Sequence, residues 1–228
     1  MTVVIFNGPP GTGKDEACSF FQNLGYKHLS FKEELFKETF KFFGVSKGWF
    51  MKGYDDRSIK EKPAPQLKVN GVSVSRRDAM IYVSEKYIKP KFGNDFFGRQ
   101  LASHIKPNMQ VCISDGGFVE ELHPVINTVG ADNIAIVQLT RDGCDFSSDS
   151  RRYFDGSLVE QFIIGKQTDI PDRHVLTPKF PVRMYRIHNN GSIDQFRQVL
   201  NTIYEKERNE QRNQETKAES IPGESLRS

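Results

Sequence analysis

Apolar residues along this chain come in short bursts separated by stretches with helical spacing. "VVIF" at 3–6 is β-branched and aromatic and ends in Asn7-Gly8, which predicts a buried strand feeding a glycine-rich turn. "KDEACSFFQNLG" predicts a helix closed by Gly25, and "YKHLSF" (26–31) a second strand. "KEELFKETFKFFG" (32–44) predicts a helix with Leu35, Phe36, Thr39, Phe40 and Phe43 on one face. Residues 45–74, with Gly48, Gly53, Pro63, Pro65 and Gly71, read as a long irregular insertion beside a site. Two helical stretches follow between 75 and 106, broken around "KPKFGN". "VCISD" (111–115), "IAIVQL" (134–139) and "MYRIHN" (184–189) read as strands, and "SIDQFRQVLNTIYEK" (192–206) as the closing helix.

Strands alternating with helices predict an α/β fold with a mainly parallel sheet of about five strands and right-handed crossovers. Ligands then bind beyond the carboxyl ends of the strands, where Gly8 and Asp115 fall. One domain is expected over 1–206, with an insertion at about 45–106. Residues 207–228 are polar and charged, which predicts a disordered tail. No internal repeat is visible.

Composition narrows the class. The chain has 228 residues, 37% hydrophobic and 27% charged, as in soluble globular proteins. A net charge of +3 is too mild to imply nucleic-acid binding by itself. Cys18, Cys112 and Cys144 show neither metal-like spacing nor a disulfide framework, which favours a reducing, cytoplasmic setting. No apolar run approaches the roughly 20 residues that span a bilayer, so no membrane association is expected. The start of the chain lacks the basic region of a signal peptide.

The chemistry begins at "GPPGTGKDEA" (8–17), which has the outline of a phosphate-binding loop between a strand and a helix. Gly8, Gly11 and Gly13 let the backbone turn N–H groups toward phosphate oxygens, and Thr12 lies within that turn. Lys14 brings a positive charge to the β- and γ-phosphates of ATP, at the positive end of the helix. Asp15 stands where Ser or Thr usually ligates Mg²⁺. A carboxylate can take over that role, since the ion prefers oxygen, or can simply favour the helix dipole. Asp115 at a strand end fits a second Mg²⁺ ligand, or a helix cap.

Arginines are the other residues of interest, because phosphoryl transfer relies on positioning and charge neutralisation. "SRRD" sets Arg76 and Arg77 at a helix start, where one of them could clamp a phosphate. "SSDSRRYFDG" (147–156) combines small polar residues with Arg151 and Arg152, as a lid or as a plain surface loop. Trp49, in "GWFMKGYDD", could stack on a base or pack its loop onto the core. The five histidines show no metal-ligand pairing.

Taken together, these segments resemble the deoxynucleoside monophosphate kinases of large DNA bacteriophages, over roughly residues 3 to 200. "GTGKD" resembles that family's Ser-Gly-Lys-Asp loop, in which Asp is a familiar variant. "LSFKEELFKETF", "YDDRSIKE", "VSRRDAMIYVSEKYIKPKFGNDFFGRQLA", "CISDGGFVEEL", "VQLTRDG" and "IHNNGSIDQF" resemble the segments that follow. The resemblance implies a P-loop NTPase-type three-layer sandwich that transfers phosphate from ATP, with Mg²⁺. ATP would sit on Gly11, Gly13, Lys14 and Asp15, with Glu16 next in the motif. Arg57, Lys60 and Arg76, and Arg77 beside it, would lie toward a nucleotide acceptor. Arg141, Arg151 and Arg152 would belong to a lid at about 141–156. Two departures stand out. Glu16 replaces the family's usual Thr, and Gly117 replaces its Arg. The acceptor is then a free deoxynucleoside 5′-monophosphate or a hydroxymethylated pyrimidine, such as hydroxymethyluracil, in modified phage DNA. A non-catalytic nucleotide-binding regulator is the reading from another class, and a homodimer stays open.

Overall fold

Strand β1 (Val3–Asn7) is buried at every position. In the computed structural model it runs parallel to two neighbours, β5 (Val111–Gly116) and β6 (Ile134–Thr140), with Val3 opposite both Val111 and Ile134. β7 (Arg183–His188) adds in parallel beyond β6, and β2 (Lys27–Leu29) lies beyond β5. The sheet order is β2-β5-β1-β6-β7. The structure describes residues 1–147, 151–154 and 182–219, apart from the side chains at 57, 214, 215 and 217–219.

Alternation along the strands explains how both sheet faces become buried. Val4, Phe6, Cys112, Ala135 and Val137 pack with Ala17, Cys18 and Phe21 of α1 (Lys14–Asn23) and with Phe196, Leu200 and Ile203 of the last helix. Val3, Ile5, Ile113, Ile134 and Ile136 on the other face are fully buried as well. The sheet is therefore the inner layer of an α/β fold, as the strand and helix pattern predicts. No helix among the described residues is long and apolar enough to cross a membrane.

The chain divides into two compact units. One comprises residues 1–28, 106–117 and 129–228, and carries most of the sheet. The other comprises 29–105 and 118–128. In this second unit, α2 (Lys32–Phe43), α3 (Lys47–Tyr54) and α5 (Arg76–Tyr82) enclose Phe50, Leu67, Ala79 and Met80, with Phe36 and Phe40 against them. Helix α5 passes into a π-helical stretch, Val83–Ile88, and then α6 (Lys89–Phe92). Gly93 breaks the run before α7 (Phe96–Ser103), and α8 (Val119–Val129) completes the unit.

Residues 45–74 are more regular than the sequence suggests. Ser46 caps α3 by accepting from the Trp49 N–H, and Asp56 caps the short α4 (Arg57–Lys60). β3 (Pro63–Val69) and β4 (Val72–Ser75) form an antiparallel hairpin. Asn70 and Gly71 both have positive φ, at 49° and 81°, which is the I′ turn that Asn-Gly favours.

Part of the expected polar tail is helical. The last helix, α9 (Ile193–Glu219), continues well past 206, and only 220–228 of the expected tail lie outside the described residues. Its buried stripe of Phe196, Leu200 and Ile203 continues into Glu207, which is fully buried. The carboxylate accepts from Arg183 Nε at 3.0 Å, Arg183 Nη2 at 2.7 Å and the Tyr185 hydroxyl at 2.7 Å. A buried acid with three donors takes the place of an apolar contact. Burial raises the Tyr185 phenol pKa, and its bond to Glu207 raises it further.

Candidate active site

The turn between β1 and α1 is built around missing side chains. A Cβ at Gly8 would collide with the Leu139 carbonyl and lie 2.9 Å from Thr12 Oγ1. Gly11 and Gly13 hold φ of 87° and 98°, a region costly for residues with a side chain. At Gly13 a Cβ would also stand 2.8 Å from Asn189 Nδ2 and 3.3 Å from the Phe196 ring. Thr12 is fully buried and donates to the Pro9 carbonyl at 2.9 Å. Asn189 Nδ2 donates to the Thr12 carbonyl at 3.0 Å, bracing the loop from the end of β7.

Lys14 opens α1, is 8% exposed, and donates from Nζ to the Pro9 carbonyl at 2.6 Å. Its ammonium is thus folded over the loop interior rather than extended into solvent. Arg141 lies against the same loop, with Nη1 3.4 Å from the Gly11 carbonyl. Cys144 Sγ is 3.1 Å from where a Cβ of Gly11 would stand.

Asp15 is exposed in the first turn of α1, and Asp115 is 6% exposed near the end of β5. Cys18 relates the two. Burial is the main cause that pushes its thiol pKa far up, followed by the Cys112 hydrogen bond and charge, and then the charges of Asp115 and Asp15. Both carboxylates therefore act on the same side chain. No cluster of three or more metal-ligating side chains occurs among the described residues. Carboxylates such as these suit a hard ion like Mg²⁺, which prefers oxygen ligands.

Asn7 organises the strand ends, a role that nothing in its local sequence marks. Fully buried, it donates from Nδ2 to the carbonyls of Gly116 (3.2 Å) and Arg152 (3.0 Å) and accepts the Phe154 N–H at 2.8 Å. Gln138 donates to the Phe154 carbonyl, and the Tyr153 hydroxyl donates to Leu139 at 3.0 Å. Residues 151–154 are thereby tied to the sheet. Of the expected lid at about 141–156, residues 148–150 and 155–156 lie outside the described residues.

Arg151 runs over Gly117. A Cβ at 117 would stand 2.6 Å from Arg151 Cβ and 2.8 Å from its Cγ and Cδ. The arginine stem occupies the space a side chain at 117 would need. The Arg152 side chain is exposed, while its N–H donates to the Gly117 carbonyl at 3.3 Å. Glu16, expected with the nucleotide loop, instead accepts from Arg197 Nη2 at 2.7 Å and Nε at 3.0 Å. It lies on the face of α1 turned toward α9, so its charge is engaged there.

The proposed acceptor cations all belong to the second unit. Arg76 is 5% exposed, donates from Nε to the Phe50 carbonyl at 3.1 Å, and stacks 4.4 Å from the Trp49 ring. It crosses α3 at Gly53, where any side chain would collide with the guanidinium. Among the described residues no carboxylate pairs with it. Arg77 pairs with Glu61 at 3.6 Å, and Lys60 sits 3.8 Å over the Tyr54 ring. The Arg57 side chain is outside the described residues. Asp78 closes the α5 cap with Ser75, in bonds of 2.7 and 3.1 Å. Trp49 packs on Arg76 and Phe50, so the packing alternative accounts for its position.

No protein-family model matches this chain, and no curated protein sequence matches it. Among solved structures it is similar to a putative kinase from Chloroflexus aurantiacus j-10-fl, at a TM-score of 0.38 and 11% identity, covering 88% of this chain and 97% of that one. It is also similar to a gluconokinase from Sinorhizobium meliloti 1021, at a TM-score of 0.35 and 12% identity, covering 87% and 89% of the two chains. At these scores neither likeness extends to the chemistry.

Proposed function

We propose that this protein is an ATP-dependent phosphotransferase whose acceptor is a deoxynucleoside 5′-monophosphate. The observation that carries the reading is the strand–loop–helix cradle, with Lys14 folded into it and Asp15 and Asp115 beside it. Backbone N–H groups and the start of α1 would hold the β- and γ-phosphates. Lys14 would exchange its bond to Pro9 for phosphate oxygens, and Arg141 would add charge from the β6 side. Mg²⁺ held through Asp15 and Asp115 would neutralise charge on the phosphate oxygens. The bond from the γ-phosphorus to the bridging oxygen breaks, leaving ADP, and a bond from that phosphorus to an acceptor phosphate oxygen forms.

Arg76 supports an acceptor site and weighs against a pure nucleotide switch. A guanidinium buried beside Trp49, with no carboxylate partner among the described residues, calls for an anion, and a switch needs none. A second reading, phosphorylation of a hydroxymethylated pyrimidine in DNA, rests on Gly117. The resemblance leads one to expect a cation at that position, and it carries no side chain.

The test is thin-layer chromatography of γ-labelled ATP with mixed deoxynucleoside monophosphates, and separately with hydroxymethyluracil-containing DNA. Label in a diphosphate spot supports the first reading. Label on DNA alone, lost steeply as salt rises, selects the second. Nucleotide binding with no transfer to either would end the kinase reading.

A further inference from the structure

At the amino-terminal ends of the strands, away from the phosphate loop, a hollow of about 260 Å³ opens between the α1–β2 turn, the start of β5 and helix α9. Its apolar side is Leu24, Tyr26 and Tyr204, with the two tyrosine rings edge to face at 6.3 Å. Its polar side is Arg208 and Arg212, with Gln211 between them in sequence. Gln211 is held in place, accepting from Gln110 Nε2 at 2.6 Å. Tyr204, Arg208 and Arg212 are four residues apart, so they form one stripe along α9.

Charge makes this hollow unusual. Among the described residues no carboxylate lines it. Of the acids in the same helix turn, Glu207 and Glu210 act on Arg183 and Tyr185, and the charge of buried Glu207 also reaches Tyr26. Neither Arg208 nor Arg212 makes an ion pair or side-chain hydrogen bond among the described residues. Two guanidiniums one turn apart are spaced to grip one phosphate, and guanidinium geometry favours that partner. The tyrosine edge beside them offers a surface for a base. The volume lies just below the usual range of ligand pockets, which suits a single, partly exposed nucleotide better than a strand.

We propose that this hollow is a second, non-catalytic site for a mononucleotide, with the phosphate on Arg208 and Arg212 and the base against Tyr204 and Leu24. It does not depend on the phosphate-loop reading, since it shares no residue with that loop.

Hydrogen–deuterium exchange with thymidine 5′-monophosphate tests the proposal on the full chain. Protection is expected at 24–27 and 204–212, and it should persist in Lys14→Ala, in which the loop is crippled. The exposed double variant Arg208→Ala/Arg212→Ala should lose it, with affinity at this site falling at least roughly tenfold for each charge-assisted contact removed. Unchanged exchange at millimolar nucleotide, or protection that survives the double variant, would overturn the site. So would full protection by thymidine, which lacks the phosphate, or a single-stranded oligonucleotide that binds far more tightly than the mononucleotide. A kinase assay on the double variant at low nucleotide separates the two claims, because its basal transfer should equal that of the parent.

Discussion

Asn7 and Phe154 are joined across 147 residues by one hydrogen bond of 2.8 Å, from the Phe154 N–H to Asn7 Oδ1. The same side chain holds Gly116 and Arg152 with its other end. Replacing it with an apolar isostere, Asn7→Leu, strands a buried N–H and two carbonyls. We expect a loss of about 2–4 kcal/mol in urea unfolding, and a fall in transfer beyond what the stability loss explains. A variant as stable and active as the parent would mean that residues 151–154 do not depend on this anchor.

Lys14→Ala should leave the fold intact and lower transfer on the order of 10²-fold or more, because the remaining loop N–H groups cannot replace a charge. The check is a rate measurement beside a melting curve. A folded variant with near-normal turnover would refute the loop assignment.

Among the three cysteines only Cys144 is partly exposed, while Cys18 and Cys112 are buried. An alkylating reagent should therefore label Cys144 first, with Cys18 held as the unreactive thiol by burial. Because Cys144 faces Gly11, ATP at ten times its dissociation constant should slow labelling about tenfold. Peptide mass mapping with and without nucleotide reads this directly. Labelling indifferent to ATP would place the nucleotide elsewhere.

Glu207→Ala removes the buried carboxylate that pairs with Arg183. Breaking a buried pair costs about 3–5 kcal/mol, which for a chain of this size lowers Tm on the order of 10 °C. A chain ending at Lys206 should show a similar drop. If both melt with the parent, α9 beyond 206 is not part of the folded unit.

The glycine turn between β1 and α1 was legible because its residues act locally. Gly8, Gly11, Gly13 and Lys14 carry their geometry in their own chemistry. The parallel sheet was legible from its apolar bursts. The 63–75 hairpin was signalled by Asn70-Gly71, but Pro63 and Pro65 obscured a strand that tolerates them at its start. The extent of α9 was not legible, because Glu207 reads as a solvated acid until Arg183 and Tyr185 arrive from a strand. Asn7 was hidden for the same reason, since its partners lie more than 100 residues away. The burial of Arg76 followed from Gly53, whose missing side chain has no periodicity to betray it.

The brace on the phosphate loop sets an order of events during synthesis. Residues 8–14 leave the ribosome early, yet the Thr12 carbonyl waits for Asn189, 177 positions later, and the Phe196 ring beside Gly13 comes later still. At about 5–20 residues per second, that delay is roughly 10–35 s. Through that interval a nascent chain displays the glycines without the wall that shapes them. On the proposed reading, capture of nucleotide is thereby deferred until the last strand and helix have been made.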